Sequence, residues 1–257
     1  MNKYNTKREY LANVYKDTKY KCIQAKIPYE PSSVYTLNDV RYKNLNEKNK
    51  FPETNITVVN QDVLEVAQEL ALLPIENIGK ILILNLASAS KPGGGVINGA
   101  MAQEEELFRR TNYFMSLTED FYPIHKTDVI HTPNVYIIKD KHYIDLLRPV
   151  KVSMLAASAL RKPYLTTSGK YNNNDYKIMH DTIENIFKTA YTLGYTTLVL
   201  GALGCGVYEN PAIEVVDIFN KCQLKYGKYF KRIVYAVLSK DTYNFTIFNK
   251  NIITQLH

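Results

Sequence analysis

Gly93, Gly94 and Gly95 are followed, after a gap of seven residues, by Gln103, Glu104 and Glu105, and this pairing is the part of the chain best equipped for chemistry. Consecutive glycines leave backbone N–H groups uncovered and permit positive φ, so an anion can approach the main chain. Two carboxylates close behind such a loop could move a proton onto or off a group bound there. If the segment opens a helix, adjacent side chains diverge by ~100°. They would then not face each other across one bond at about 5 Å, as an acid and nucleophile pair must. One carboxylate is expected to transfer the proton while the other does something else. Glu106 falls beside Arg109 and Arg110 at helical spacing and reads as their solvated partner. Acidic residues also gather at helix N-termini for the dipole alone; the glycines at fixed spacing carry the reading further than that.

A second glycine loop runs Gly201-Ala202-Leu203-Gly204-Cys205-Gly206-Val207-Tyr208-Glu209-Asn210-Pro211. It follows an apolar run at 196–200 and precedes a helical pattern with Ala212, Val215, Val216, Phe219 and Cys222 inward. Strand, glycine loop, helix is an arrangement that holds phosphate at a helix N-terminus. The glycine order is not GxGxxG and no GK[ST] follows, which excludes a dinucleotide fingerprint and a P-loop. Cys205 has no histidine near it in sequence; a small residue between glycines is explained by space, and no nucleophilic role is expected.

The elements that must position these residues follow from periodicity. Residues 81–86 form an apolar run of the kind that makes a buried central strand, closing on Asn85 and small polar residues. Residues 55–60 make another strand, followed by a helix with Val63, Val66, Ala67 and Leu70 on one face. Residues 103–117 read as one helix with Leu107, Thr111, Phe114 and Met115 inward. Strands are expected at 149–157, 196–200 and 232–238, the last closing the sheet. A helix is expected over 175–191 and a polar, mobile loop over 161–174. Before residue 55, a helix over 4–16 with Tyr4, Leu11, Val14 and Tyr15 near one face leads into an irregular segment. Both glycine loops fall at strand C-termini, where ligands bind in α/β folds.

Composition sets outer bounds. The chain has 257 residues, 46% hydrophobic and 22% charged, ordinary for a globular protein with a substantial core. No apolar stretch opens the chain and none could span a bilayer. The three cysteines (Cys22, Cys205, Cys222) are widely spaced and odd in number, as reduced thiols of an intracellular protein would be. No CxxC or HxxxH spacing occurs, so no metal site is expected. The net charge of +7 is spread out, densest over 225–232, and reads as a basic solvated surface. Nucleic-acid binding is possible on that charge but not favoured.

GGG, seven residues, then QEE resembles the signature of microbial-type poly(ADP-ribose) glycohydrolases, built on a macrodomain. The second loop resembles their GAxGCGxFxNxP, with Leu203 where an aromatic is common and Tyr208 in place of Phe. Residues 130–135, IHTPNV, resemble an SPxV-type turn, and SSVYTLNDV near the start resembles the family's N-terminal extension. The resemblance covers about residues 55–240. It implies a three-layer α/β/α macrodomain-like sandwich around a mixed sheet, with an N-terminal helical extension: an accessory segment (1–54) packed on a catalytic domain (55–257). It further implies hydrolysis of ribose–ribose bonds in poly(ADP-ribose) to release ADP-ribose, by a monomer without cofactor. Glu105 would be the acid/base. Glu104 and Asn85 would hold the distal ribose, with Gln103 lining the substrate. Amides of Gly93, Gly94, Gly95, Gly204, Cys205, Gly206 and Val207 would cradle the diphosphate, and Tyr208 would pack on the nucleotide. A helix N-terminus lowers a carboxylate pKa, so Glu105 is expected to become a competent acid only with ligand bound. Asp62 could hold an adenine in such a family; as an N-cap with Glu65 at N3 it is explained more simply. His131 is given no catalytic role. A mono-ADP-ribosyl hydrolase acting on protein or nucleic acid remains an alternative, as does a non-catalytic ADP-ribose reader, though the QEE carboxylates argue for catalysis.

Overall fold

The computed structural model describes residues 6–239 and 242–256. Tyr4, expected on the first helix, and His257 of the C-terminal tail lie outside the described residues. In chain order the elements are α1 (Lys7–Gln24), β1 (Ser33–Tyr35), β2 (Asn55–Val59), α2 (Val63–Leu70), α3 (Ile75–Ile78), β3 (Ile81–Leu86), α4 (Gln103–Arg110), β4 (Val129–Lys139), β5 (Asp145–Ala157), α5 (Asn173–Thr192), β6 (Thr197–Leu200), α6 (Ala212–Tyr226), β7 (Arg232–Ala236) and α7 (Tyr243–Asn251). The strands form one mixed sheet in the order β1-β4-β5-β3-β6-β7-β2. The five from β5 to β2 run parallel, and β4 and β1 are antiparallel additions.

Side-chain alternation along β3 divides the two cores. Leu82 and Leu84 face a core shared with α5, α6 and α7. Ile81 and Ile83 face the other, shared with α2 and α4. Since faces repeat every second residue, Asn85 falls on the α4 side. A pattern read only as a buried strand thus already aims Asn85 at the helix carrying the glutamates.

Several expected elements take a different form. The helix from residue 103 ends at Arg110, not at 117. Thr111 is extended and bridges Ile137 of β4. Asn112 exchanges bonds with Tyr136, its N–H donating to the carbonyl (3.2 Å) and its Oδ1 accepting the amide (2.7 Å). This pairing with the β4 backbone captures the chain that helical periodicity would have continued. Residues 130–135 lie within β4, which bulges between Thr132 and Val135 with Asn134 at φ 53°. β7 does not close the sheet; β2 covers it and forms the edge. The C-terminal segment forms α7, with Phe248 and Ile252 buried. Residues before β2 supply the edge strand β1 as well as α1, which Thr6 caps through Glu9 N–H (3.1 Å).

Asp62 is the N-cap of α2: its Oδ1 accepts the amides of Leu64 (2.9 Å) and Glu65 (3.3 Å). The same oxygen meets Nη1 of Arg110 at 2.7 Å. Arg110 is 2% exposed, so Asp62 neutralises a charge that water cannot reach. Asp62→Ala should therefore cost several kcal/mol, about 3–5 for the stranded charge with the cap lost besides. Asp62→Ala with Arg110→Met should recover part of that loss in urea unfolding; a double variant no more stable than the single would refute the pairing.

Candidate active site

α4 begins at the C-terminal end of β3 and brings its first turn against it. Gln103 fixes the junction: its Oε1 accepts the Leu86 amide (2.9 Å) and its Nε2 donates to the Leu84 carbonyl (2.7 Å). The carboxamide acts as a surrogate strand neighbour. With α4 locked there, Glu104 and Glu105 are 3% and 7% exposed.

Glu104 lies against the strand end. Its Oε1 accepts from Asn85 Nδ2 (3.2 Å) and its Oε2 from the Ser88 amide (2.7 Å). Tyr122 donates its hydroxyl to Oε1 at 3.4 Å. Burial pushes the Glu104 carboxyl up to about 7, against the downward pull of the Ser88, Asn85 and Gly93 donors; Glu105 nearby adds a smaller upward push. Asn85 is fully buried, so it supports Glu104 from behind. Its Oδ1 and the adjoining Tyr113 hydroxyl make no hydrogen bond of good geometry among the described residues, and burial raises that hydroxyl far above the usual tyrosine range.

Glu105 is held from both sides by main chain. Its Oε1 accepts the Gly95 amide (2.8 Å) and its Oε2 the Ala102 amide (3.0 Å). The second bond is one half of a capping box; Ala102 has no side-chain acceptor to supply the other half. The two carboxylates do not simply diverge from the helix. A Cβ on Gly94 would lie 2.7 Å from Glu105 Oε1 and 3.4 Å from Glu104 Oε2, so both oxygens converge on this glycine, at φ 52°. The triplet is thus wrapped around the glutamates. The Gly95 amide serves Glu105, that of Gly93 pulls on Glu104, and that of Gly94 points at the Lys91 carbonyl (3.4 Å).

The second loop differs. The amides of Gly206, Val207 and Tyr208 donate to no protein acceptor among the described residues. A Cβ on Gly206 would meet nothing within 4 Å. Asn210 holds the loop in shape, its Nδ2 donating to the carbonyls of Leu160 (2.6 Å), Gly204 (3.1 Å) and Tyr208 (3.3 Å). Tyr171 donates to its Oδ1 (2.7 Å), which ties in the polar loop before α5. Tyr208 joins the two loops by accepting the Ala89 amide at 3.3 Å. Leu203 is buried in the core on the α5–α6 side. Burial raises the Cys205 thiol to about 12, which leaves no thiolate for nucleophilic attack.

Other candidates have structural roles. His131 is buried, lowered to about 4, with its Nε2 2.6 Å from the Tyr195 hydroxyl. Glu106 pairs with Arg109 (2.6 Å) and not with Arg110. Both arginines are buried, so the solvated cluster expected there is an internal one. Among the described residues, His180, Asp181 and Glu184 could approach a metal ion, but Lys177 and Lys225 already hold the carboxylates. A groove of about 300 Å³ beside Thr57, Val66, Leu70 and Arg232 shares no lining residue with either glycine loop. No helix among the described residues is long and apolar enough to cross a membrane. Tyr122, Tyr113 and the Ser88 amide were beyond sequence reasoning: none has a periodicity or spacing that ties it to Glu104.

A mixed-sheet α/β sandwich with paired buried carboxylates and two glycine loops at strand ends defines a macrodomain-like hydrolase. The poly(ADP-ribose) glycohydrolase of Thermomonospora curvata superposes with a TM-score of 0.80 at 22% identity, covering 95% of this chain and 100% of that one. Its complex with the inhibitor ADP-HPD gives 0.77 at 23%, covering 95% and 99%. The Deinococcus radiodurans enzyme in complex with ADP-ribose gives 0.72 at 24%, covering 86% and 93%. These likenesses establish the fold. Residues 3–140 match the family described as microbial-type PARG, catalytic domain, while no curated protein matches the chain. The chain belongs to the microbial-type poly(ADP-ribose) glycohydrolases, hydrolases of glycosidic bonds.

The raised Glu104 makes a prediction about stability. A carboxyl whose pKa rises on folding stabilises the fold fully below its unfolded value near 4.5, and that contribution is lost as pH climbs through about 7. Glu104→Gln lacks this contribution, so its stability relative to wild type should improve by roughly 3 kcal/mol between pH 4.5 and 7.5. Thermal unfolding of both proteins across that range measures it; a difference that does not change with pH refutes it.

Proposed function

We propose that the chain hydrolyses the ribose–ribose O-glycosidic bonds of poly(ADP-ribose) and releases ADP-ribose, with Glu105 as its acid/base. The supporting observation is the convergence of two buried carboxylates on Gly94, each fixed by backbone amides. A group held that way can address a single bound atom with little reorganisation. Glu105 in its acid form gives its proton to the departing oxygen as the C1–O bond breaks. The anomeric carbon becomes oxocarbenium-like, and the adjacent diphosphate offsets its charge. The Glu105 carboxylate then takes a proton from the water that adds to that carbon, which restores the acid.

Glu104, with a pKa near neutrality, can donate to one ribose hydroxyl oxygen and accept from another. The diphosphate is assigned chiefly to the free amides of Gly206 and Val207, with Gly204 and Cys205 shaping the turn. The triplet Gly93, Gly94 and Gly95 is assigned to the glutamates first. Tyr208, half-buried between the loops, offers its ring to the nucleotide. The Thermomonospora and Deinococcus proteins of this fold, solved with ADP-HPD and with ADP-ribose, support ADP-ribose as the ligand. We assign the protein to an intracellular compartment on its free thiols and read it as a monomer.

Glu105→Gln keeps the shape and should lower turnover of poly(ADP-ribose) by at least ~100-fold while calorimetry still shows ADP-ribose binding. Turnover close to wild type would remove Glu105 as the acid. Release of ADP-ribose from mono-ADP-ribosylated protein, with polymer left intact, would instead assign the site to mono-ADP-ribosyl hydrolysis. Gly206→Val fills the space before the free amides and touches nothing else, so ADP-ribose affinity should fall ~10-fold or more with the melting temperature unchanged. Unaltered affinity would place the diphosphate elsewhere.

A further inference from the structure

Arg109 lies four residues past Glu105 on α4 and is fully buried. Its guanidinium divides among three elements. Nη2 donates to the Ala100 carbonyl, Nη1 meets Glu106 at 2.6 Å, and Nε reaches the Leu11 carbonyl of α1 at 3.4 Å. Its own carbonyl accepts the hydroxyl of Thr18, also on α1. Tyr143 donates to Glu106 at 3.1 Å, which closes the cluster.

Ala100 is the point through which this cluster reaches the chemistry. Its amide donates to the Gly95 carbonyl at 3.2 Å and closes the turn between the triplet and α4. The amides that hold the Glu105 oxygens, of Gly95 and Ala102, flank that turn. α1 packs on the same turn, with Gly99 at φ 70° so close to Arg8 that an added Cβ would run into its backbone. Moving Ala100 therefore moves both donors.

We propose that Arg109 is a positioning residue for Glu105, bracing the residue 95–102 turn against α1, so that the N-terminal helix belongs to the catalytic apparatus. The proposal rests on Glu105 being the acid. The geometry calls for a planar fork that can bond three acceptors in different directions, which an ammonium on a flexible stem cannot replace. A turn that drifts by even about 1 Å would misplace the acid while leaving the phosphate-facing loop intact, and such shifts cost up to ~100-fold in rate.

The test compares Arg109→Lys, Gly99→Ala and Glu105→Gln with wild type. Gly99→Ala leaves the guanidinium in place and pushes α1 off the turn. Binding-competent sites are counted by calorimetric titration with ADP-ribose, and turnover of poly(ADP-ribose) is expressed per such site. Arg109→Lys and Gly99→Ala should each bind ADP-ribose within ~3-fold of wild type but turn over ~10- to ~100-fold more slowly per site. A purely structural role would lower the melting temperature and the number of sites, leaving turnover per site unchanged; that result overturns the brace. If Arg109→Lys does not fold, Gly99→Ala decides on the same readout. Turnover retained by Glu105→Gln would overturn the acid assignment and the brace with it. Turnover lost in Glu105→Gln but normal per site in the other two would overturn the brace alone.

Discussion

Burying two carboxylates on adjacent residues is unfavourable unless their oxygens find donors and the backbone can come close enough to supply them. In this protein the donors are main-chain amides of Ser88, Gly95 and Ala102, aided by Asn85. That requirement explains the glycines. Gly94 passes so near Glu105 that any side chain would displace the carboxylate, and Gly93 does the same beside the ring of Phe108. The triplet is first of all a space for glutamates and only then a loop for a ligand.

The rest of the fold fixes where those donors stand. β3 is central, with β5 and β6 as parallel neighbours, so Leu86 and Ser88 emerge from the most constrained part of the sheet. Gln103 attaches α4 to that strand end, and Arg109 attaches the intervening turn to α1. Lys139, 1% exposed, reaches Asp17 of α1 (2.7 Å) and Asp145 of β5 (2.6 Å), joining the same helix to the paired strands β4 and β5. Buried charges of this kind define a geometry more than they add stability, since each must be compensated in one place only.

The two glycine loops divide the work. One has two of its amides committed to carboxylates; the other is held by Asn210, and its Gly206 and Val207 amides meet no acceptor among the described residues. An anion bound at the second loop would lie beside a carboxyl whose pKa is already raised by burial. Negative charge there would raise that carboxyl, Glu104, further, which favours the form able to donate to a ribose hydroxyl oxygen.

Much of this was legible in the sequence because local rules sufficed. Apolar runs gave the parallel strands, Asp62 gave the N-cap of α2, and the spacing of glycines to glutamates gave the family. The alternating faces of β3 even contained the direction of Asn85. What only the tertiary structure decided involved partners distant in sequence. Helix α4 stops at Arg110 because the β4 backbone takes Thr111 and Asn112, a competition that no helical periodicity records. The same holds for Tyr122 on Glu104 and for the use of the triplet's amides. Arg109 and Arg110 read as solvated because arginine beside glutamate on a helix usually is; α1 and Asp62, arriving from 98 and 48 residues away, enclosed them. Charge and spacing are properties of the chain, whereas burial is a property of what the chain folds against.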